Sequence, residues 1–567
     1  MNNKQFTRQL IGLTAVSIAI MSGLVIHFQL FPGIQSKYPL VPTKPIDKSQ
    51  SIGGQPEKRV TQHIPPAPSA AAPETTPQSQ SKTILPSGDV SPRQTAIAAT
   101  VTHEYTYHAL ASPNDPYYPS SWALQHTGAT GAWAISTGTP MVIAIIDTGF
   151  ALSHEDLQTQ WYQNPGENGF TQSGDRCWTG VSQNKSTNSC DDDANGYIDD
   201  WRGWNFVNKS NSPQAGTTNP TGSGVSHGTA VAGIAGAATN NGIGIASYNW
   251  NVKLMPLQAL SDNGSGVTSD IAAAIYYAVD NGASVINLSL GGSADDPALK
   301  AAVLYAYQHN VVIVAAAGNC GTGTESGCDP SKPGQMLYPA LYDHVISVGA
   351  TDVNDARASF SSYGPALDVI APGSGNITST LIDTSSSPIN MTNAYSASLY
   401  GTSFASPMVA SIVSLIKSIR PNATVEDITA LVDGSAQKVS GMSGSIYTLQ
   451  YGHGLINATS ASTIAASLSP TATTVKLGQT GSVHSEHSFN TADTLASSCT
   501  VSPFSYCTVR IHSVSLGYDR YLPYTKTDSS GITSWSWPGN IISASEAWDV
   551  SSQQGGSFSP YYPLVAK

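Results

Sequence analysis

Three residues of this 567-residue chain share a setting that suits nucleophilic catalysis. Asp147 ends the continuous apolar run 141–146. His227 opens a small-residue stretch, His227-Gly228-Thr229-Ala230-Val231-Ala232-Gly233-Ile234. Ser403 lies in Gly401-Thr402-Ser403-Phe404-Ala405-Ser406-Pro407, just ahead of the apolar run 408–419. An acid after such a run is costly if buried unpaired, and a histidine is the obvious partner. A serine at a helix N-terminus meets unpaired N–H groups and partial positive charge, which suits an oxyanion. Pro407 falls within the first turns, where a missing N–H costs least. Each residue alone has a plain structural reading: a helix cap for the serine, a packed core position for the histidine. Together, each at an element end, they meet the demands of a Ser-His-Asp system. The serine attacks, the histidine carries its proton, and the acid sets the imidazole tautomer.

The elements that must position them alternate in type. Apolar runs at 141–146, 252–256, 285–290, 311–316 and 345–349 read as strands buried on both faces. Between them, Ile271, Ile275, Ala278 and Val279 recur at helical spacing, with Gly282 as a C-cap. Leu299, Val303, Ala306 and Tyr307 repeat the pattern. Such alternation predicts an α/β fold with a doubly wound, mainly parallel sheet, whose ligands bind beyond the carboxyl ends of the strands.

Composition bounds the rest. Charged residues make up 11% of the chain, against roughly 25% in ordinary soluble proteins. The net charge of −12 argues against nucleic acid or an anionic membrane surface as partner. The six cysteines form three close pairs, Cys177 with Cys190, Cys320 with Cys328, and Cys499 with Cys507. Local pairing is the simplest of the fifteen possible connectivities and implies an oxidising compartment. Residues 1–35 carry Lys4 and Arg8 before an uncharged apolar run, an export signal that is either cleaved or kept as an anchor. Residues 36–95 are Pro/Ser-rich and read as a disordered linker, and 96–112 as a short pro-segment. The globular catalytic region is expected over 113–460, a connector over 461–480, and a small β-rich accessory domain over 481–567.

Residues 191–200 place five acids and an Asn-Gly turn in ten positions. The opening Asp191, Asp193, Asn195 has the D-x-D-x-N-G form of an EF-hand loop, but Arg202 stands where the bidentate Glu would be. With Asp199, these are candidate ligands for a calcium loop of another kind; a solvated acidic loop is the alternative.

The motifs Ile146-Asp147-Thr148-Gly149, His227-Gly228-Thr229 and Gly401-Thr402-Ser403-Phe404-Ala405-Ser406-Pro407, in the order Asp, His, Ser, resemble the signatures of the subtilisin-like serine proteases, the S8 peptidases. The resemblance spans about residues 114–457. Pro113-Asn114-Asp115-Pro116-Tyr117-Tyr118 and the calcium loops point to the thermitase-like branch. This resemblance implies that Asn319, with the Ser403 N–H, binds the oxyanion. It implies that Ser289, Leu290 and Gly291, opposite Gly264, Ser265 and Gly266, clamp an extended peptide. Ala316, Ala317 and Gly318 match the wall of the pocket for P1, the residue before the cleaved bond. Their small side chains suggest room for a large apolar or aromatic residue. Thr239-Asn240-Asn241-Gly242-Ile243-Gly244-Ile245 matches a strong calcium loop, with an Asn241 side-chain oxygen, carbonyls of Thr239, Ile243 and Ile245, and carboxylates of Asp115 and Asp156. The expectation is therefore a monomeric, exported, calcium-stabilised serine endopeptidase of broad specificity, acting on polypeptides outside the cell. A surface adhesion or binding protein with a silent protease domain is the alternative, motivated by the low charge, the stalk and the aromatic C-terminal region. Acid-active relatives that use Glu in place of the histidine are a third option, which His227 disfavours.

Overall fold

The computed structural model describes residues 112–324 and 328–467, together with the backbone of strands between residues 487 and 566. The expected signal, linker and nearly all of the pro-segment lie outside the described residues, as do the side chains of Cys499 and Cys507 and hence their expected bond.

Seven strands form one parallel sheet: β1 (Val142–Asp147), β2 (Trp204–Asn205), β3 (Lys253–Gln258), β4 (Val285–Leu288), β5 (Val312–Ala316), β6 (Val345–Thr351) and β7 (Val369–Pro372). Their order is β2-β3-β1-β4-β5-β6-β7, and every pairing is parallel. The apolar runs are continuous because both faces are covered. Ile143 and Ile145 of β1 join one core, while Ala144 and Ile146 join the other. Val312 and Val314 of β5 face the first core, and Ile313 and Ala315 the second, as the two-residue period of a strand requires.

The helices divide accordingly. After the short α1 (Trp122–His126) and α2 (Ala129–Trp133) come α3 (His227–Gly236), α4 (Thr268–Asp280), α5 (Pro297–Gln308), α6 (Thr402–Ile419), α7 (Val425–Ser435) and α8 (Ala458–Ser467). Residues of α3 and α6 enter the first core, and those of α4 and α5 the second. The helices that carry His227 and Ser403 thus share one face of the sheet. An antiparallel pair, β8 (Ile377–Asp383) with β9 (Asn390–Leu399), lies apart from the main sheet.

The Gly/Ala content of α3 has a steric cause. A Cβ on Gly233 would meet Ser379 Oγ and Thr380 Oγ1 at 2.4 Å, and one on Gly228 would meet the Thr148 carbonyl at 2.6 Å. Ser379 and Thr380 of β8 donate to the carbonyls of Ala230 and Thr229 at 2.6 and 2.7 Å, which locks the helix in place. α6 is long and apolar enough to cross a membrane, but it is buried within the fold. Beyond residue 467, backbone pairing is described for strands such as Tyr506–Ser513, antiparallel to Ala547–Gln554.

Candidate active site

Asp147 is the last residue of β1, His227 the first of α3, and Ser403 the second of α6. The fold brings all three to the carboxyl edge of the sheet, where chain order reverses around β1. Asp147 is fully buried. Its Oδ1 accepts from the Thr148 N–H at 2.7 Å and lies 2.7 Å from His227 Nδ1. The His227 side chain is 28% exposed and opens, with Ser403, onto a cleft of about 530 Å³. Burial pushes the imidazole pKa down, but the charge and hydrogen bond of Asp147 outweigh it, so the net shift is upward. Ser403 Oγ donates to the Ser289 carbonyl at 3.3 Å. Among the described residues no hydrogen bond joins it to His227. Rotation about one side-chain bond re-aims the hydroxyl, and such bonds commonly tighten only when substrate is present.

Pro407 sits at the sixth position of α6, further in than the first turn. Its missing N–H leaves the Ser403 carbonyl without the usual helical donor. Ser289 Oγ fills that role at 2.7 Å. Ser289 Oγ in turn accepts from Asn287 Nδ2 at 3.0 Å, and Asn287 Oδ1 accepts from Ser406 Oγ at 2.8 Å. A buried polar chain therefore ties β4 to the start of the Ser403 helix. Asn287 and Ser406 escaped sequence reasoning; an Asn inside an apolar strand was the available signal.

Asn319 follows β5. Its Oδ1 accepts from both the N–H and the hydroxyl of Thr402, at 3.0 and 2.9 Å. With the oxygen so committed, the amide nitrogen is left to donate elsewhere. Gly401, at φ +139°, makes the turn into the helix, a conformation that disfavours any side chain. Cys320, next to Asn319, is bonded to Cys328, and Cys177 to Cys190.

Gly264, Ser265, Gly266, Ser289, Leu290, Gly291, Ala316 and Gly318 all line the same cleft. Ala317 does not: its side chain is fully buried in the second core with Ala315, two residues earlier on the same strand face. Leu337, which sequence reasoning missed, lines the cleft as well.

The two acidic regions differ in how far expectation was met. Asp115 Oδ2 accepts from the Asn240 N–H at 2.7 Å. Asp156 accepts from Asn241 Nδ2 at 3.0 Å and the Ile245 N–H at 2.9 Å. The loop with Thr239, Asn241, Ile243 and Ile245 thus wraps two buried carboxylates, neither with an ion-pair partner among the described residues. Burial, with the charges of Asp115 and Glu155, pushes Asp156 up to about 7. In the second region, ligand atoms of Glu167, Asp191 and Asp193 lie within 4.8 Å of one another. Glu167 is fully buried, its Oε2 has no hydrogen-bond partner, and burial with the charges of Asp200 and Asp193 pushes it up to about 7. Asn195 stays beside the cluster through Asp193 Oδ2 at 3.3 Å. Asp199 turns away, accepting the Ser189 N–H at 3.1 Å. Both acid groups fit a hard cation such as calcium: the first offers two buried carboxylates with raised pKa values, the second a buried Glu167 with an orphaned oxygen facing the less buried Asp191 and Asp193. Glu167 lies 24 residues before Asp191, so no local spacing could have pointed to it.

The chain belongs to the subtilase family, whose model matches residues 138–454, and it is a serine endopeptidase of the thermitase-like kind. It is 36% identical over 331 residues to thermitase of Thermoactinomyces vulgaris, covering 58% of this chain and 93% of that one. It is also 36% identical to the thermophilic serine proteinase of Bacillus sp. strain AK1, over 59% of this chain and 67% of that protein. It is 32% identical to the halolysin-like extracellular serine protease Nep of Natrialba magadii, over 57% of this chain and 48% of that one. Among solved structures, proteases from Pseudoalteromonas arctica align at 27% identity with a TM-score of 0.47, over 63% of this chain and all of theirs.

Proposed function

We propose that the chain is an extracellular, calcium-stabilised serine endopeptidase that works through Asp147, His227, Ser403 and Asn319. The observation that carries this reading is the 2.7 Å Asp147–His227 couple opening onto the cleft that Ser403 lines. Ser403 Oγ attacks the scissile carbonyl as His227 removes its proton. Asp147 holds Nδ1–H, so Nε2 is the basic nitrogen, and it stabilises the imidazolium. The Asn319 amide and the Ser403 N–H, at a helix position that lacks an intrahelical acceptor, receive the oxyanion. His227 then passes its proton to the leaving amine, and water repeats the sequence on the acyl-enzyme.

The peptide lies extended between 264–266 and 289–291. Backbone pairing holds it with little demand on sequence, which supports broad specificity beyond P1. Calcium, when bound, neutralises the carboxylates of Asp115 and Asp156 and those of Glu167, Asp191 and Asp193. The extracellular location rests on the disulfides, the N-terminal apolar segment and relatives named as extracellular. Whether that segment is cleaved or anchors the protein, residues 481–567 are read as an accessory β module.

Covalent labelling by a fluorophosphonate tests the reading. Stoichiometric labelling of the folded protein, abolished in Ser403→Ala, is expected. Folded wild-type protein that takes no label rules the proposal out.

A further inference from the structure

We propose that Leu337 forms a raised floor in the P1 pocket, so that the enzyme cleaves after small residues (glycine, alanine or serine) rather than after large apolar or aromatic ones. The inference rests on the serine-protease reading of the cleft and refines its substrate class. It replaces the expectation of a large P1 residue, which considered only the two walls.

Those walls are Ala316–Gly318 and Ser289–Gly292, and the segment carrying Leu337 is stitched to both. The Leu337 N–H donates to the Ala317 carbonyl at 3.0 Å. Tyr338 and Gly292 exchange backbone hydrogen bonds in both directions at 2.9 Å. The backbone under the pocket is therefore tied to each side.

The Leu337 side chain fills the space that the wall glycines leave. A Cβ placed on Gly291 would lie 2.8 Å from Leu337 Cβ and 3.0 Å from Cδ1. One placed on Gly318 would lie 2.8 Å from Leu337 Cγ and 3.0 Å from Cδ1. Both are closer than non-bonded carbons approach, so the isobutyl group touches both glycine backbones and spans the gap between them. A pocket whose walls are glycine on both sides has room for a large substrate side chain only if nothing else stands between them, and here Leu337 does.

The floor is also held from behind. The Gly334 N–H donates to the Cys320 carbonyl at 2.6 Å, and the Tyr363 N–H to the Gly334 carbonyl at 2.9 Å. Cys320 is buried and bonded to Cys328, which itself lines the cleft. The loop entering Leu337 is thus anchored on the same strand end that presents Asn319. A benzyl group would have to displace Leu337 against this scaffold, whereas a methyl or hydroxymethyl group stops above it. Differences of one methylene in such pockets already change kcat/KM by about 10–200-fold.

The test is a series of peptide p-nitroanilides identical except for Gly, Ala, Leu or Phe at P1. It is run on the full-length wild type and on Leu337→Val, Leu337→Ala and Leu337→Gly. Active enzyme is titrated in each case by fluorophosphonate labelling. In the wild type, kcat/KM for Ala is expected to exceed that for Phe by about tenfold or more. The Phe-to-Ala ratio is expected to climb in the order Leu, Val, Ala, Gly at position 337, by about tenfold or more across the series. A labelled wild type that prefers Phe over Ala overturns the inference and leaves the protease reading intact. So does a ratio that does not move across those variants that still take label. If none of the variants takes label, the wild-type series decides alone. A folded wild type that neither labels nor cleaves any substrate overturns both readings.

Discussion

Asp147 acts on His227 in two ways, and they can be separated by experiment. Its charge raises the imidazole pKa against the downward pull of burial, and its hydrogen bond selects the tautomer. Protonated His227 cannot serve as base, so activity falls as pH drops through the imidazole pKa. The acid limb of kcat/KM is therefore expected above the ordinary histidine value of about 6.5. In Asp147→Asn the limb should move to lower pH, and kcat should fall by about 10⁴; a pH–rate profile of both proteins reads the two effects. In the proposed mechanism Asn319 contributes only once the oxyanion forms. Asn319→Ala is expected to lower kcat by about 10²–10³ with KM little changed, measured under steady-state conditions. If KM rises instead, Asn319 is binding ground-state substrate.

At the scale of elements, the cleft is assembled by loops that hold each other rather than by the sheet alone. The Asp262 carboxylate accepts four hydrogen bonds from the loop that leads to His227. They come from the N–H groups of Gly216, Thr218 and Asn219 at 2.9, 2.8 and 2.9 Å, and from the Thr218 hydroxyl at 2.6 Å. These bonds outweigh burial and hold its pKa below the usual carboxylate value. Gly222 and Gly224 pack so tightly against 262–264 that a Cβ on either would clash at 2.3 and 2.6 Å. One wall of the cleft is thereby fastened to the loop that leads to His227. Asp262→Ala is expected to raise KM for long peptides more than it lowers kcat, and to cost about 1–3 kcal/mol of stability. Urea unfolding together with steady-state kinetics checks both. Helix α6 shows the same economy: the carbonyl freed by Pro407 is the one Ser289 needs in order to grip the helix start.

For the molecule as a whole, stability is expected to depend on ionisable groups buried without an ion-pair partner among the described residues. Burial pushes Asp156 and Glu167 up to about 7, so both are only partly ionised at neutral pH, and the proposed calcium would favour their charged forms. Chelation is expected to lower the thermal midpoint by about 5–10 °C, from roughly 2.7 kcal/mol of binding linkage at a hundredfold excess over Kd. Glu167→Gln should remove part of that response in calorimetry with and without calcium. An unchanged midpoint on chelation would rule out a structural role for the ion. Lys417 is nearly fully buried in α6, donates to the Asn310 carbonyl at 2.9 Å, and is pulled down to about 8 by burial. A lysine whose folded pKa lies below its unfolded value is destabilising while it must stay charged. Its penalty fades as pH rises from about 8 towards 10.5, because the unfolded chain binds the extra proton over that window. The stability difference, wild type minus Lys417→Met, is therefore expected to grow from pH 8 to pH 10 in chemical denaturation. A constant difference contradicts the shift.

Much of this protein was legible in its sequence because the relevant chemistry is local. Continuous apolar runs report strands covered on both faces, so the parallel sheet could be read without contacts. Asp147, His227 and Ser403 announce themselves because each needs a small-residue neighbourhood at an element end, and such neighbourhoods are contiguous in the chain. Cys177 and Cys190, and Cys320 and Cys328, pair locally, and the spacing alone favoured that. What only the tertiary structure decided depends on facing surfaces and on loops far apart in sequence. Ala317 faces the core and Ala316 the cleft because a strand end alternates sides. Asp199 leaves the acidic cluster for the Ser189 backbone, while Glu167 enters it from a distant loop. Leu337 reaches the cleft because its segment pairs with both Ala317 and Gly292. Identity and spacing along the chain specify which groups can react; the space between glycines, and what fills it, exists only once the chain has folded.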